Sequence, residues 1–242
     1  MAFGTDPRLA RMGGRVAVDQ VDAGLRRYML SIYNYMGLGL ALTGIIAMFV
    51  AATPAIYVPI FTSPLKWVVM LAPLGFIFFL GFRVQQMSAS AVQMTFWAFC
   101  AVMGLSMASI FLVFTGESVA RTFFITAAAF GALSLYGYTT KRDLSAMGTF
   151  LVVGLFGLII ASVVNIFIGS SAIQFMVSVA GVLIFAGLTA WDTQRLKEMY
   201  LDNMEPGAQT KMAVMGALTL YLDFINMFQF LLQFMGVRTN SE

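Results

Sequence analysis

Seven long apolar runs divide this chain, at residues 28–50, 65–82, 89–114, 122–138, 144–168, 172–191 and 212–235. A helix needs about 20 predominantly apolar residues to cross hydrocarbon. Inside hydrocarbon every backbone N–H and C=O must be satisfied within the protein, which leaves helices as the form such runs take. The second and fourth runs are short and are expected to extend at their ends or to sit where the bilayer thins. The expected fold class is therefore an all-α integral membrane protein, a bundle of seven transmembrane helices. Composition agrees: 60% of residues are hydrophobic and 10% charged, where a soluble domain carries about 25% charged residues.

The polar segments set the organisation. Residues 1–27 form a polar arm that mixes arginines with Asp6, Asp19 and Asp22. It is expected to be partly disordered, with helix from Val16 onward. Residues 28–236 are the membrane domain and 237–242 a short tail. Residues 53–64 contain Pro54, Pro59 and Pro64 and read as a loop. Residues 196–211 are a second polar stretch, broken by Pro206 and Gly207. The first apolar run follows a polar arm and is too long for a secretory signal, whose apolar core is about 7–15 residues. With alternating spans, eleven Lys and Arg fall on the side of the N-terminus and three (Lys66, Arg121 and Arg238) on the other. The positive-inside rule then puts the N-terminus in the cytoplasm and the C-terminus outside.

Several chemistries are excluded by what is missing. There is no histidine, so Ser-His and Cys-His catalysis and His-ligated metals are ruled out, and any pH response must come from carboxylates. Cys100 is the single cysteine. It reads as a small buried hydrophobe. The basic residues are spread among loops, so no nucleic-acid surface is expected. The eighteen methionines are scattered through the spans and read as adaptable packing.

Asp223 is the exception inside the apolar runs. A carboxylate at that depth costs at least about 2.5–3.5 kcal/mol on insertion scales and is by default functional. Gly216, Thr219, Asp223, Asn226 and Gln233 recur at helical spacing and share one face, interrupted by Phe230. Thr219 and Asn226 are thereby candidates for a polar or pore-lining face. Asp192, in AWDTQRLK, closes the sixth run on the inner side. Two carboxylates sharing a site cannot both ionise freely. A shared proton locks them, and its loss leaves two like charges that repel or attract a hard cation such as Ca²⁺. Depth argues against contact: Asp223 is about 16 Å from the inner edge at helical rise, and Asp192 is near it. The pair meets only if the helices are offset or the sixth helix continues through Leu196.

Three motifs carry a family resemblance: FITAAAFGALSLYGYTTKRDLS (Phe124 to Ser145), AWDTQRLK, and ALTLYLDFINMFQFLLQFMG (Ala217 to Gly236). The chain resembles the Bax inhibitor-1 family in its bacterial branch. The resemblance implies seven helices with the last one central and wrapped by the other six. It also implies a pH-sensitive calcium leak, with the family's paired aspartates at Asp192 and Asp223. In that scheme a shared proton holds the pore shut and its loss lets the second helix move aside. An arginine near the inner end of the second helix contacts the pair in relatives, and Arg83 is the basic residue in that region here. The second run holds no carboxylate, so no pore-lining acid is expected from it.

The expected function is a pH-sensitive calcium leak gated by Asp192 and Asp223, which also form a transient Ca²⁺ site, with Arg83 in the gate. No enzyme activity and no bound cofactor are expected; Ca²⁺ is the transported ion. Two alternatives stand beside it: a regulator that binds a membrane protease or its substrates, and a proton-coupled cation exchanger. An intramembrane aspartyl protease is disfavoured, because its YD and GxGD motifs are absent. The expected location is the bacterial inner membrane. Among smaller features, Lys141 to Asp143 reads as a topology anchor, Asn165 as a backbone cap, and Trp67 and Trp191 as interfacial anchors.

Overall fold

The structure is a computed structural model that describes residues 7–201 and 204–239, with side chains from residue 23 onward. The described chain forms α1 (Pro7–Ala51), α2 (Pro54–Phe61), α3 (Leu65–Arg83), a single 3-10 turn (Val84–Gln86), α4 (Ala89–Val113), α5 (Gly116–Thr139), α6 (Ser145–Ile168), α7 (Ser171–Glu198) and α8 (Pro206–Met235). All but α2 and the 3-10 turn are long and apolar enough to cross a bilayer, giving seven spans. The helix starts are written locally. Ser88, Thr115 and Ser170 each accept a backbone N–H three residues on, at the N-termini of α4, α5 and α7, which satisfies a donor the helix itself cannot. Gly169 ends α6 in the left-handed region at φ 68°, where a side chain would be strained.

Three sequence expectations change. Residues 53–64 are not simply a loop: Pro54 occupies the first turn of α2, where its missing N–H is no loss. The short helix carries Pro59 within it. Pro206 likewise begins α8 rather than merely breaking the chain. The arm is also continuous with the first span, since α1 runs back to Pro7.

Burial orders the bundle. The most apolar window of α8 is 61% buried, against 11% for α3 and for α6. α8 packs chiefly on α7, α1, α5 and α4, while α3 rests mainly on α4 and α6 on α7. The last helix is thus central, but its direct wrapping comes from four helices, with α3 and α6 as an outer layer. Those two present Phe82, Phe150, Ile166 and Phe167 almost fully exposed, as lipid contact allows. Where helices touch closely, glycine permits it. A methyl at Gly104 would lie 2.7 Å from the Thr43 carbonyl oxygen, so α1 and α4 meet backbone to backbone. Gly148 receives the Trp191 ring, so Trp191 packs between α6 and α7 as well as lying near the bundle end. Trp67 is exposed at the start of α3, with Lys66 Nζ 5.5 Å from its ring centroid.

Candidate functional site

Alternating spans put Arg26, Arg83, Arg142, Arg195, Lys197 and Lys211 at one end of the bundle, here called the basic end. α7 does not stop with its apolar run at Trp191 but continues to Glu198, and Asp192 is therefore a helical residue held inside the bundle. α8 is offset along it. Gly216, ten residues into α8, lies against Leu196 near the end of α7, so α8 has already risen about 15 Å by then. That stagger cancels the depth difference the sequence implies. Asp192 and Asp223 are 7% and 4% exposed, and their carboxyls are near enough to influence each other across the α7–α8 contact.

Oδ2 of Asp223 is buried and accepts no hydrogen bond from an N–H or hydroxyl among the described residues, which is costly for a charged oxygen. Arg195, one turn beyond Asp192 on α7, is close enough to attract it. Arg83 lies elsewhere: it is exposed, and its Nη1 donates to Gln86 Oε1 at 2.8 Å. Its neighbours Val84 and Gln85, however, line the cavity that leads to the pair.

That cavity measures about 410 Å³ and opens at the basic end between α7, α8 and the 3-10 turn. Asp192, Arg195, Lys211 and Thr219 supply its polar wall. Met199, Met204, Met212 and Met215 also line it, a cluster that the scattered sequence positions did not reveal. Lys211 Nζ donates to the Met87 carbonyl at 3.3 Å, fastening the start of α8 to the α3–α4 connection. Thr219 sits in the cavity wall one turn before Asp223, and its hydroxyl donates to Met215 O at 3.2 Å. Asn226 lies half-buried one turn past Asp223 and donates to Leu222 O at 2.7 Å. Beyond the pair the interior is aromatic: Phe185 stacks on Phe230 at 5.9 Å, and Phe130 meets Phe224 at 5.6 Å. Phe230 breaks the polar face of α8 because it fills the space above Gly181.

The sequence motifs converge on this neighbourhood. Gln194, two residues past Asp192, accepts from Leu144 N at 2.9 Å and donates to Arg142 O at 2.8 Å, clamping the KRD loop to α7. Ser134 of α5 meets Thr193 at 2.9 Å and also bonds the Tyr33 hydroxyl of α1. Asp143 Oδ1 accepts Ser145 N at 2.8 Å at the start of α6, and these bonds hold its carboxyl below the usual aspartate value. Asn165 caps as expected, accepting Ser170 N at 3.0 Å. Among the described residues no group of three or more His, Cys, Asp or Glu side chains is placed to hold a metal ion. The pair alone offers too few oxygens for a resident Ca²⁺, which takes 6–8.

Residues 25–240 match the family described as Inhibitor of apoptosis-promoting Bax1. The chain belongs to the Bax inhibitor-1 family. Relatives are similar along nearly their whole length. A Rickettsia prowazekii protein, RP147, is 48% identical over 219 residues, covering 90% of this chain and 92% of the relative. A Caulobacter vibrioides protein is 46% identical over 228 residues, covering 89% and 90%. The inner membrane protein YbhL of Escherichia coli K12 is 43% identical over 225 residues, covering 92% and 96%. The Bax inhibitor-1 match takes in all seven spans from residue 25 onward and leaves out most of the arginine-bearing arm.

Proposed function

We propose that this Bax inhibitor-1 protein is a proton-gated calcium leak of the bacterial inner membrane, with its basic end in the cytoplasm. The observation that supports the reading is the pairing of two buried carboxyls on α7 and α8, one of which, Asp192, lines a cavity open at the basic end. With one proton shared between them, the two carboxyls tie α7 to α8 and the aromatic layer beyond stays packed. When the proton leaves, two negative charges face each other. At 4 Å and an effective dielectric of 20 their repulsion is about 4 kcal/mol, enough to shift a closed–open equilibrium by about three powers of ten. The separated carboxylates and the Thr219 hydroxyl then offer oxygen to a dehydrating Ca²⁺, the ligand type it prefers. Asn226 supplies the next polar group along the same helix. Having too few ligands for tight binding suits passage, because a conducted ion must also leave.

The test is Ca²⁺ entry into dye-loaded proteoliposomes from about pH 5 to pH 8. Wild type should show flux that rises with pH. Asp223→Asn and Asp192→Asn, whose amides remain neutral, should show flux that no longer responds to pH. Flux no greater than that of empty liposomes at every pH would sink the reading and favour a protein-binding regulator. Flux that requires an opposing proton gradient would instead make the protein an exchanger.

A further inference from the structure

α1 and α5 both pack on α8 but leave a seam between them. One cavity of about 480 Å³ lies in this seam at the basic end, and an apolar one of about 600 Å³ lies toward the opposite end. Gly44 of α1 and Gly131 of α5 line the two, and a side chain added at either would meet open space. The mouth of the cavity at the basic end faces lipid, since its lining residues Leu30 and Leu135 are 51% and 63% exposed. Its depth is closed by the hydrogen bond from Tyr33 to Ser134, which crosses from α1 to α5. Its rim is cationic. Arg26 lines it, and Lys197 Nζ lies 5.3 Å from the ring centroid of Tyr138, another lining residue.

We propose that this groove is a binding site for an anionic phospholipid, with the headgroup phosphate on Arg26 and an acyl chain laid in the slot floored by Phe130 and Gly131. A lipid-facing apolar slot beneath a guanidinium fits an amphiphile with a negative head. Basic pockets between membrane helices on the cytoplasmic side bind such headgroups, and arginine matches phosphate with paired N–H donors. The walls offer few polar groups for a peptide backbone, whereas a hydrocarbon chain needs none. The positive-inside rule assigns this rim to the cytoplasmic leaflet. The site stands whether or not the protein conducts calcium.

The experiment is native mass spectrometry of the full chain in neutral detergent with equimolar phosphatidylglycerol and phosphatidylcholine of identical acyl chains. Wild type should retain phosphatidylglycerol preferentially. Arg26→Gln should lower retention of phosphatidylglycerol about five-fold and leave phosphatidylcholine unchanged, the effect of one cation near the membrane surface. Gly131→Phe should fill the slot and displace both lipids. Equal retention of the two lipids by wild type, or unchanged phosphatidylglycerol retention in Arg26→Gln, would overturn the proposal. Because Arg26 is exposed, that variant decides the headgroup contact even where the bulky substitution disturbs folding.

Discussion

Gly137→Ala is the sharpest test of how the site is held. Gly137 is buried in α5, directly on the backbone of α7. A methyl there would overlap the Ala190 carbonyl oxygen and lie 2.9 Å from its carbon and 3.0 Å from its Cα. Carbon atoms pack comfortably at about 3.5–4.0 Å, and a backbone cannot rotate out of the way. The helices must therefore part by about 1 Å, since 3.0 Å must become about 4.0 Å. The Ser134–Thr193 bond at 2.9 Å and the Lys197–Tyr138 carbonyl bond at 2.9 Å span the same seam, and that displacement takes both past hydrogen-bonding distance. Overpacking costs about 1–3 kcal/mol and the two bonds about 1 kcal/mol each. Replacing a helical glycine with alanine returns about 1 kcal/mol. The net loss is about 2–4 kcal/mol, a fall in Tm of about 4–16 °C for a chain of this size. Scanning fluorimetry in one detergent measures it, with Gly75→Ala as control because a methyl there meets nothing within 4 Å. The control should hold or slightly raise Tm. A Gly137→Ala Tm within about 1 °C of wild type, or a control that falls as far, would refute the backbone-contact argument.

Other outcomes follow from the same packing. Thr43 donates to Cys100 O at 2.9 Å and meets the buried Tyr221 hydroxyl at 2.7 Å, joining α1, α4 and α8. Tyr221→Phe should cost about 1 kcal/mol, since Thr43 keeps its carbonyl partner. Thr43→Val should cost more, about 1–3 kcal/mol, because it strands the Tyr221 hydroxyl; equal or reversed Tm losses would contradict this ordering. Asp143 is held below its ordinary value of 3.8 by its bonds to Ser145. A lowered carboxyl contributes stability above its unfolded value and loses it as pH falls through the folded one. Asp143→Ala should therefore separate from wild type in thermal unfolding at about pH 6 and approach it as pH falls below the ordinary aspartate value. A gap that does not narrow at the acid end would remove Asp143 from the pH response. The flux and lipid-retention experiments complete the set, one probing the carboxyl pair and the other the α1–α5 groove.

Much of this protein is written in one dimension. The apolar runs determine seven spans because hydrocarbon admits no unsatisfied backbone, and the runs are long enough to satisfy that demand alone. Asp223 announces itself because a carboxylate in such a run needs a reason, and the motifs around Asp192 and Asp223 name the family. The helix ends were less legible. α7 continues to Glu198 through polar residues that composition assigns to a loop, and α2 forms across prolines that favour its first turn. What the sequence could not fix is the stagger of α7 against α8. That stagger comes from small residues placed opposite large ones, Gly216 under Leu196 and Gly181 under Phe230, and pairing between distant segments has no local signal. The same holds for the Gln194 clamp, the four methionines around one cavity, and Arg195 rather than Arg83 as the cation beside Asp192. Sequence determined which residues must avoid lipid; tertiary packing decided which of them meet, because contact depends on helix offset and rotation, and these are set by shape across the whole bundle.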